Sequence, residues 1–327
     1  MTPAVEPSKP AVLARKRRRG GLVIAAQAVL VVIVGGVAVA SGGSSSSGTT
    51  MGVSGSSGAK SSYRMFSLTL VDKSRPTVDR ANPARNAATR TLRTEVYVPS
   101  GTGPFPVVMF AHGGGGSPDN FTQLLGAWAE AGFIIAAPAF PLTSTKPSVN
   151  RDALNQPADV SFVLDQVLQQ AKDPSSPLYQ RVDTNHVGVG GVSLGGATVL
   201  GLASCCGDSR IDAMMLMEPV KGPFANQVAS FHTPVMFVHI KTDRIAPYST
   251  STEAFAAAPP PKFLMTLHGG KHAEPYNNTP SPHHHAVIGA TTAFWNAYLH
   301  GPTAAVADIS QAGTVPGQSD VIGTPRS

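Results

Sequence analysis

The pentapeptide Gly191-Val192-Ser193-Leu194-Gly195 constrains this chain more than any other stretch. Upstream, Val187-Gly188-Val189-Gly190 is short and apolar and reads as a buried strand. Downstream, residues 196–203 are small and apolar and read as a helix. A serine between a strand and a helix sits on a tight turn, where flanking glycines let two backbones pass closely because no Cβ intervenes. Such a turn lifts the hydroxyl above the sheet and aims the helix N-terminus at the group the hydroxyl attacks. Ser193 is therefore the candidate nucleophile.

A second loop supports this reading. Pro106-Val107-Val108-Met109-Phe110-Ala111 is a continuous apolar strand, followed by His112-Gly113-Gly114-Gly115-Gly116. Glycines after a buried strand leave backbone N–H groups free to point at a ligand. The N–H of Gly114 and the N–H of Leu194, just after the nucleophile, are the expected oxyanion donors. His112 is expected to pack the loop rather than to act as a base.

A serine hydroxyl needs a base, and the base needs an acid to orient it. Pro234-Val235-Met236-Phe237-Val238-His239-Ile240 is a buried strand ending in Lys241-Thr242-Asp243, which places Asp243 where open sheets carry functional side chains. Glu218, at the end of strand 211–217, is the rival acid. The strand 262–267 leads into His268-Gly269-Gly270-Lys271-His272. His272, in a loop after the last expected strand, suits a base that titrates near neutral pH; His268 lies too close to the strand end. His283, His284 and His285 lack a second ligand group at metal-site spacing and read as a polar start to helix 286–299. No metal and no organic cofactor is expected.

Together, the strand, H-G-G-G-G, G-V-S-L-G, T-D-R after a strand and G-G-K-H after the next resemble the α/β-hydrolase superfamily. The segment 155–166, Asn-Gln-Pro-Ala-Asp-Val-Ser-Phe-Val-Leu-Asp-Gln, is similar to the helix before the nucleophile strand in bacterial dienelactone-hydrolase-like esterases, which sit close to chlorophyllases and platelet-activating-factor acetylhydrolase. The resemblance covers roughly residues 93–300. Dienelactone hydrolases carry a cysteine nucleophile where this chain has serine, so the resemblance implies general carboxylic-ester hydrolysis.

Charge excludes one other class. The chain carries a formal net charge of +6, but six of its 25 Lys and Arg lie within residues 1–40 beside one of its 19 acidic residues. The remainder is close to neutral, so no nucleic-acid partner is implied. The leader has its own meaning. Arg15-Lys16-Arg17-Arg18-Arg19 precedes an apolar run over 22–40, the arrangement that keeps positive charge inside and exports the chain beyond it. As a helix that run spans about 28 Å, near the thickness of a hydrocarbon core. Ala38-Val39-Ala40 also reads as a cleavage signature. A membrane anchor and a cleaved signal peptide both stay open, and either places the body outside the cytoplasmic membrane, secreted or anchored facing outward. Residues 41–62 are a Ser/Gly-rich linker, 63–300 the catalytic domain, and 301–327 an expected flexible tail. Cys205 and Cys206 are expected as a buried, inert thiol pair, with a vicinal disulfide as the alternative.

Over 66–299, strands alternate with helices after an antiparallel opening at 66–71 and 93–98. This implies an α/β-hydrolase fold: a mostly parallel central sheet, helices on both faces and no large cap domain. The Pro- and Ser-rich insertion 140–155 is expected to wall an open pocket for a small-molecule or lipid-like ester. A lipase or cutinase-like polyester hydrolase is the alternative enzyme. A non-catalytic envelope binding protein on the same fold is the alternative of another class.

Overall fold

A computed structural model describes residues 62–224, 230–300 and 306–325. The leader over 1–40 and all but the last residue of the linker lie outside the described residues. No helix among the described residues is long and apolar enough to cross a membrane.

Among the described residues nine strands form one sheet: β1 (Tyr63–Asp72), β2 (Arg90–Pro99), β3 (Phe105–Ala111), β4 (Ile134–Ala139), β5 (Val182–Val192), β6 (Ala213–Met217), β7 (Val235–Ile240), β8 (Lys262–Leu267) and β9 (Ser319–Thr324). Their order is β1-β2-β4-β3-β5-β6-β7-β8-β9. The strands from β3 to β8 run parallel, while β1, β2 and β9 pair antiparallel at the two edges. Among the described residues six α-helices accompany them: α1 (Thr122–Glu130), α2 (Gln156–Gln170), α3 (Leu194–Leu202), α4 (Ser249–Ala257), α5 (His284–Leu299) and α6 (Ala307–Gly313).

Because side chains alternate across a strand, one apolar run feeds two cores. Val107, Met109 and Ala111 of β3 pack with Val160, Val163 and Val167 of α2 and Val199 of α3 on one face. Val108 and Phe110 pack with Trp128 of α1 and Phe294 and Trp295 of α5 on the other. The continuous hydrophobicity of β3 and β7 is thus the signature of a doubly covered parallel sheet, as expected.

Two expectations are corrected. The described part of 301–327 is not a flexible tail. It forms α6 and then β9, which pairs with β8 from Lys262↔Thr324 to Leu267↔Ser319. Ile309 of α6 is fully buried in the α1/α5 core. A composition of Gly and small polar residues hides this because an edge strand is held by backbone hydrogen bonds and needs few apolar side chains. The cysteines are also not a buried thiol pair. Cys205 and Cys206 form a vicinal disulfide in an exposed turn just past the end of α3.

One ionic cluster fixes the site's surroundings. Arg90 of β2 is fully buried and meets Asp152 (Nη2 to Oδ2, 2.9 Å) and Asp159 (2.6 Å). A buried guanidinium persists only with such paired acceptors. It ties the central sheet to α2 and to the 140–155 insertion.

Candidate active site

The turn after β5 is forced by close packing. A Cβ on Gly191 would meet the carbonyl oxygen of Gly195 at 2.3 Å, and one on Gly195 would meet that of Ala111 at 1.9 Å. Only glycine fits either position. Between them Ser193 adopts φ +57°, ψ −114°, in the half of backbone space that L-residues avoid. Its backbone is held from both sides: its N–H donates to Met217 O (2.9 Å), and its carbonyl accepts from Val220 N–H (3.2 Å). The hydroxyl stands at the start of α3, whose N-terminal N–H groups have no intrahelical acceptor.

The three residues expected to converge do so. His272 Nε2 lies 2.8 Å from Ser193 Oγ, and Nδ1 lies 2.6 Å from Asp243 Oδ2. The other carboxylate oxygen of Asp243 accepts the N–H groups of Ile245 (2.7 Å) and Ala246 (3.1 Å), which fixes the carboxylate plane. Beside it, His239 Nδ1 is 2.8 Å from Ser251 Oγ and Nε2 is 3.0 Å from Ala246 O. Burial holds that ring's pKa below the ordinary imidazole value, despite the opposing pull of the Ala246 bond and the nearby carboxylates.

Glu218 is a second carboxylate on the same imidazole. It was the rival to Asp243 in the sequence, and the fold brings both. Its Oε2 stands 3.1 Å from His272 Nδ1 and accepts the N–H of Ala273 at 2.6 Å. Glu218 is fully buried, and both Glu218 (φ +45°) and Ala273 (φ +63°) occupy the left-handed region. The 2.6 Å contact makes Asp243 the principal partner of the ring. Burial depresses the pKa of His272, but its bonds to Glu218 and Asp243 and their charges outweigh that, so it lies above the ordinary value. Glu218 also meets the buried Tyr276 hydroxyl at 3.4 Å.

The glycine loop is clamped by His112. Its Nδ1–H donates to Gly113 O (2.7 Å) and its Nε2 accepts Phe140 N–H (3.1 Å). That pattern requires a neutral ring, and burial drives its pKa down to about 4. Within the run, Gly115 N–H donates to Thr143 O (2.7 Å) and Gly116 N–H to Gly113 O (3.2 Å). These two are thereby occupied, whereas Gly113 and Gly114 face the site. A Cβ on Gly113 would lie 3.3 Å from Ser193 Cβ, and one on Gly114 3.4 Å from Leu194 Cδ2. Of the run, Gly113 therefore abuts Ser193, while Gly114 abuts the Leu194 side chain and Asn150.

A cavity of about 520 Å³ opens over Ser193 and His272. A second, of about 600 Å³, is walled by Leu194, Leu154, Val220 and Pro223. The insertion 140–155 contributes to both, as expected. Among the described residues, the grouping of side chains that could jointly hold a metal ion is Glu218, Asp243 and His272. Both carboxylates are already engaged on the imidazole of His272, and the His283–His285 run is not part of the group. His284 opens α5, as the sequence implies.

Sequence reasoning undervalued Glu218, because its left-handed backbone, which turns the carboxylate back toward the His272 loop, leaves no mark in the residue string.

A family model described as Chlorophyllase matches residues 63–237. Two curated relatives are both named Chlorophyllase-1, chloroplastic. The one from Citrus sinensis is 29% identical over 164 residues, covering 50% of this chain and 47% of its own. The one from Citrus unshiu is 28% identical over 164 residues with the same coverage. The chain therefore spans about half the length of the curated relatives it matches. The family match includes the glycine loop, Ser193 and Glu218, and ends before Asp243 and His272.

Proposed function

This chain belongs to the chlorophyllase family, and from that premise we propose that it is an exported serine hydrolase that cleaves carboxylic esters through an acyl-enzyme. The observation that carries the reading is the pair of contacts on one imidazole: 2.8 Å to the Ser193 hydroxyl and 2.6 Å to Asp243.

Neutral His272 takes the hydroxyl proton at Nε2 as Ser193 Oγ attacks the ester carbonyl carbon. The resulting imidazolium is stabilised by Asp243 and, from 3.1 Å, by Glu218. The N–H groups of Leu194 and of Gly114, with Gly113 alongside, receive the tetrahedral oxyanion, and the N-terminus of α3 adds its dipole. The C–O bond to the alcohol breaks as His272 returns the proton to the departing oxygen. Water then repeats the sequence, deprotonated by His272, and the carboxylic acid leaves with Ser193 restored. His112 holds the donor loop rigid throughout. None of these steps calls on a metal or an organic cofactor.

The relatives are named for chlorophyllase activity, and the part that carries over is ester hydrolysis at this serine. The basic leader and apolar run favour a body held or released outside the cytoplasmic membrane; N-terminal sequencing of the mature protein tests that part. A fluorophosphonate probe tests the chemistry. Wild-type chain is expected to label, and Ser193→Ala to lose both the label and the hydrolysis of 4-nitrophenyl butanoate. A folded wild-type chain that neither labels nor hydrolyses would favour a binding protein on this fold. Chain-length dependence of 4-nitrophenyl esters separates a short-chain esterase from a lipase or polyester hydrolase.

A further inference from the structure

The cavity over Ser193 and the one against the neighbouring Leu194 differ in chemistry, and the reaction dictates which half of the ester faces His272. His272 must hand its proton to the departing alkoxide, so the alcohol half has to lie on the His272 side of the scissile bond. The 520 Å³ cavity is the one lined by His272, Ala273 and residues 277–279. The 600 Å³ cavity contains no residue of that loop. It is walled chiefly by Leu154, Leu194, Val220 and Pro223, with the exposed Arg151 also lining it. The alcohol half therefore lies toward His272, and the cavity against Leu194 is the apolar space the structure offers the acyl half.

The alcohol cavity is rich in donors and poor in acceptors. Among the described residues no aspartate or glutamate lines it, and Lys146 does. Lys146 has no ion-pair partner among the described residues. Its stem runs along Gly115, where a Cβ would lie 3.9 Å from its Cγ and 4.0 Å from its Cε. The side-chain oxygens of the neighbouring amides are already committed: Asn120 Oδ1 accepts Ser117 N–H (2.8 Å) and Asn277 Oδ1 accepts Thr279 N–H (2.7 Å). These amides can still offer a ligand their NH₂ groups. An ammonium and two amide donors without a carboxylate select for oxygen acceptors, and above all for negative charge.

We propose that the preferred substrate is an ester whose alcohol half bears an anionic oxygen group, carboxylate or phosphate, paired with Lys146, and whose acyl half is apolar. This rests on the hydrolase reading above and goes on to name the substrate class. Negative charge is recruited by one exposed lysine, so the selection is electrostatic and screened by salt.

The test compares butanoate esters of 4-hydroxybenzoate, of 4-hydroxyphenyl phosphate and of neutral methyl 4-hydroxybenzoate. The ratio of kcat/KM for each charged ester to that for the neutral one is measured in wild type and variants, so that intrinsic leaving-group reactivity cancels. Lys146→Ala is expected to lower that ratio about fivefold, the factor given by ~1 kcal/mol of exposed ion pairing, and Lys146→Glu to lower it further. In wild type the ratio should fall as salt rises from about 0.02 to about 0.5 M. The two charged esters tell a carboxylate site from a phosphate site. Fluorophosphonate labelling of each variant verifies an intact nucleophile. A ratio indifferent to Lys146 and to salt, or one that answers to Arg151→Ala instead, overturns the inference while leaving the esterase standing. Failure to cleave any of the three esters, with Ser193 unlabelled, sinks the hydrolase reading and this inference with it.

Discussion

Removing Asp243 entirely should damage this enzyme less than replacing it with asparagine. The expectation comes from the two carboxylates on His272 Nδ1, at 2.6 Å and 3.1 Å. At an effective dielectric of about 20, those distances correspond to attractions of about 6 and about 5 kcal/mol for an imidazolium. The two attractions are of similar size, so Glu218 alone keeps close to half of the imidazolium's stabilisation. With Asp243→Ala, Glu218 remains in place, fixed by the Ala273 N–H at 2.6 Å, and still holds the Nδ1–H tautomer. Taking the lost charge-assisted hydrogen bond at about 1.5–3 kcal/mol, the remainder being screened or made up by Glu218, kcat/KM should fall about ten- to a hundredfold. Asparagine behaves differently. The oxygen now bonded by Ile245 and Ala246 N–H must remain an acceptor, so the amide nitrogen would be the atom facing His272. A donor there forces the wrong imidazole tautomer, a change that costs about 10⁴ in turnover in a triad of this type. The assay is kcat/KM for 4-nitrophenyl butanoate across pH, with Asp243→Ala combined with Glu218→Gln as the control that removes both acids. The double variant should fall to about the level of Asp243→Asn, well below the product of the single effects. Alanine as harmful as asparagine, or a double variant no worse than Asp243→Ala, would refute the shared-acid account. The pH profile adds a sign. His272 must be neutral to act as base and its pKa is raised above 6.5, so the acid limb of wild type should lie above that value. Glu218→Gln, which keeps the contacts and removes a charge, should move the limb down.

Two further outcomes are expected from the same structure. His112→Phe leaves the buried Phe140 N–H without an acceptor, which should cost about 1–3 kcal/mol by urea unfolding and slow fluorophosphonate labelling as the glycine loop loosens; a variant of wild-type stability and labelling rate would contradict the clamp. The same ring has a folded pKa depressed from 6.5 to about 4, so its contribution to stability is complete above pH 6.5 and lost as pH falls toward 4, which a pH series of melting curves reads directly. A stop codon after His300 removes α6 and β9, uncovers the edge of β8 and deletes the buried Ile309. It also removes the His268 N–H bond to Gln318 O (2.8 Å), which steadies the lead-in to the His272 loop. The truncated chain should melt lower and aggregate, whereas an unchanged melting temperature would show that this segment is dispensable.

Much of the site was legible in the residue order because its constraints are local. Gly191 and Gly195 are glycines because neighbouring carbonyls leave no room for a side chain. The strand-to-helix change around Ser193 is written in composition, and Asp243 and His272 each come after an apolar run that ends in a loop. The sequence was silent where backbone or distant contacts decide. β9 is held to β8 by main-chain bonds that its small residues do not advertise. The exposed turn that carries Cys205 and Cys206 depends on where α3 stops. Glu218 reached the imidazole only because its backbone turns left-handed and meets the N–H of Ala273, 55 residues away.

Sequence alone thus determined the type of sheet and which serine, histidine and aspartate would meet at the turn after β5, since each is encoded by steric necessity or hydrophobic period within a few positions. Tertiary structure decided that one histidine would face two acids, that β9 would add an edge to the sheet beside β8, and that one cavity would gather Lys146 and amide donors while another gathered apolar walls. Those features depend on the convergence of loops remote in the chain, and pairwise distance in space leaves no trace in pairwise distance along the polypeptide.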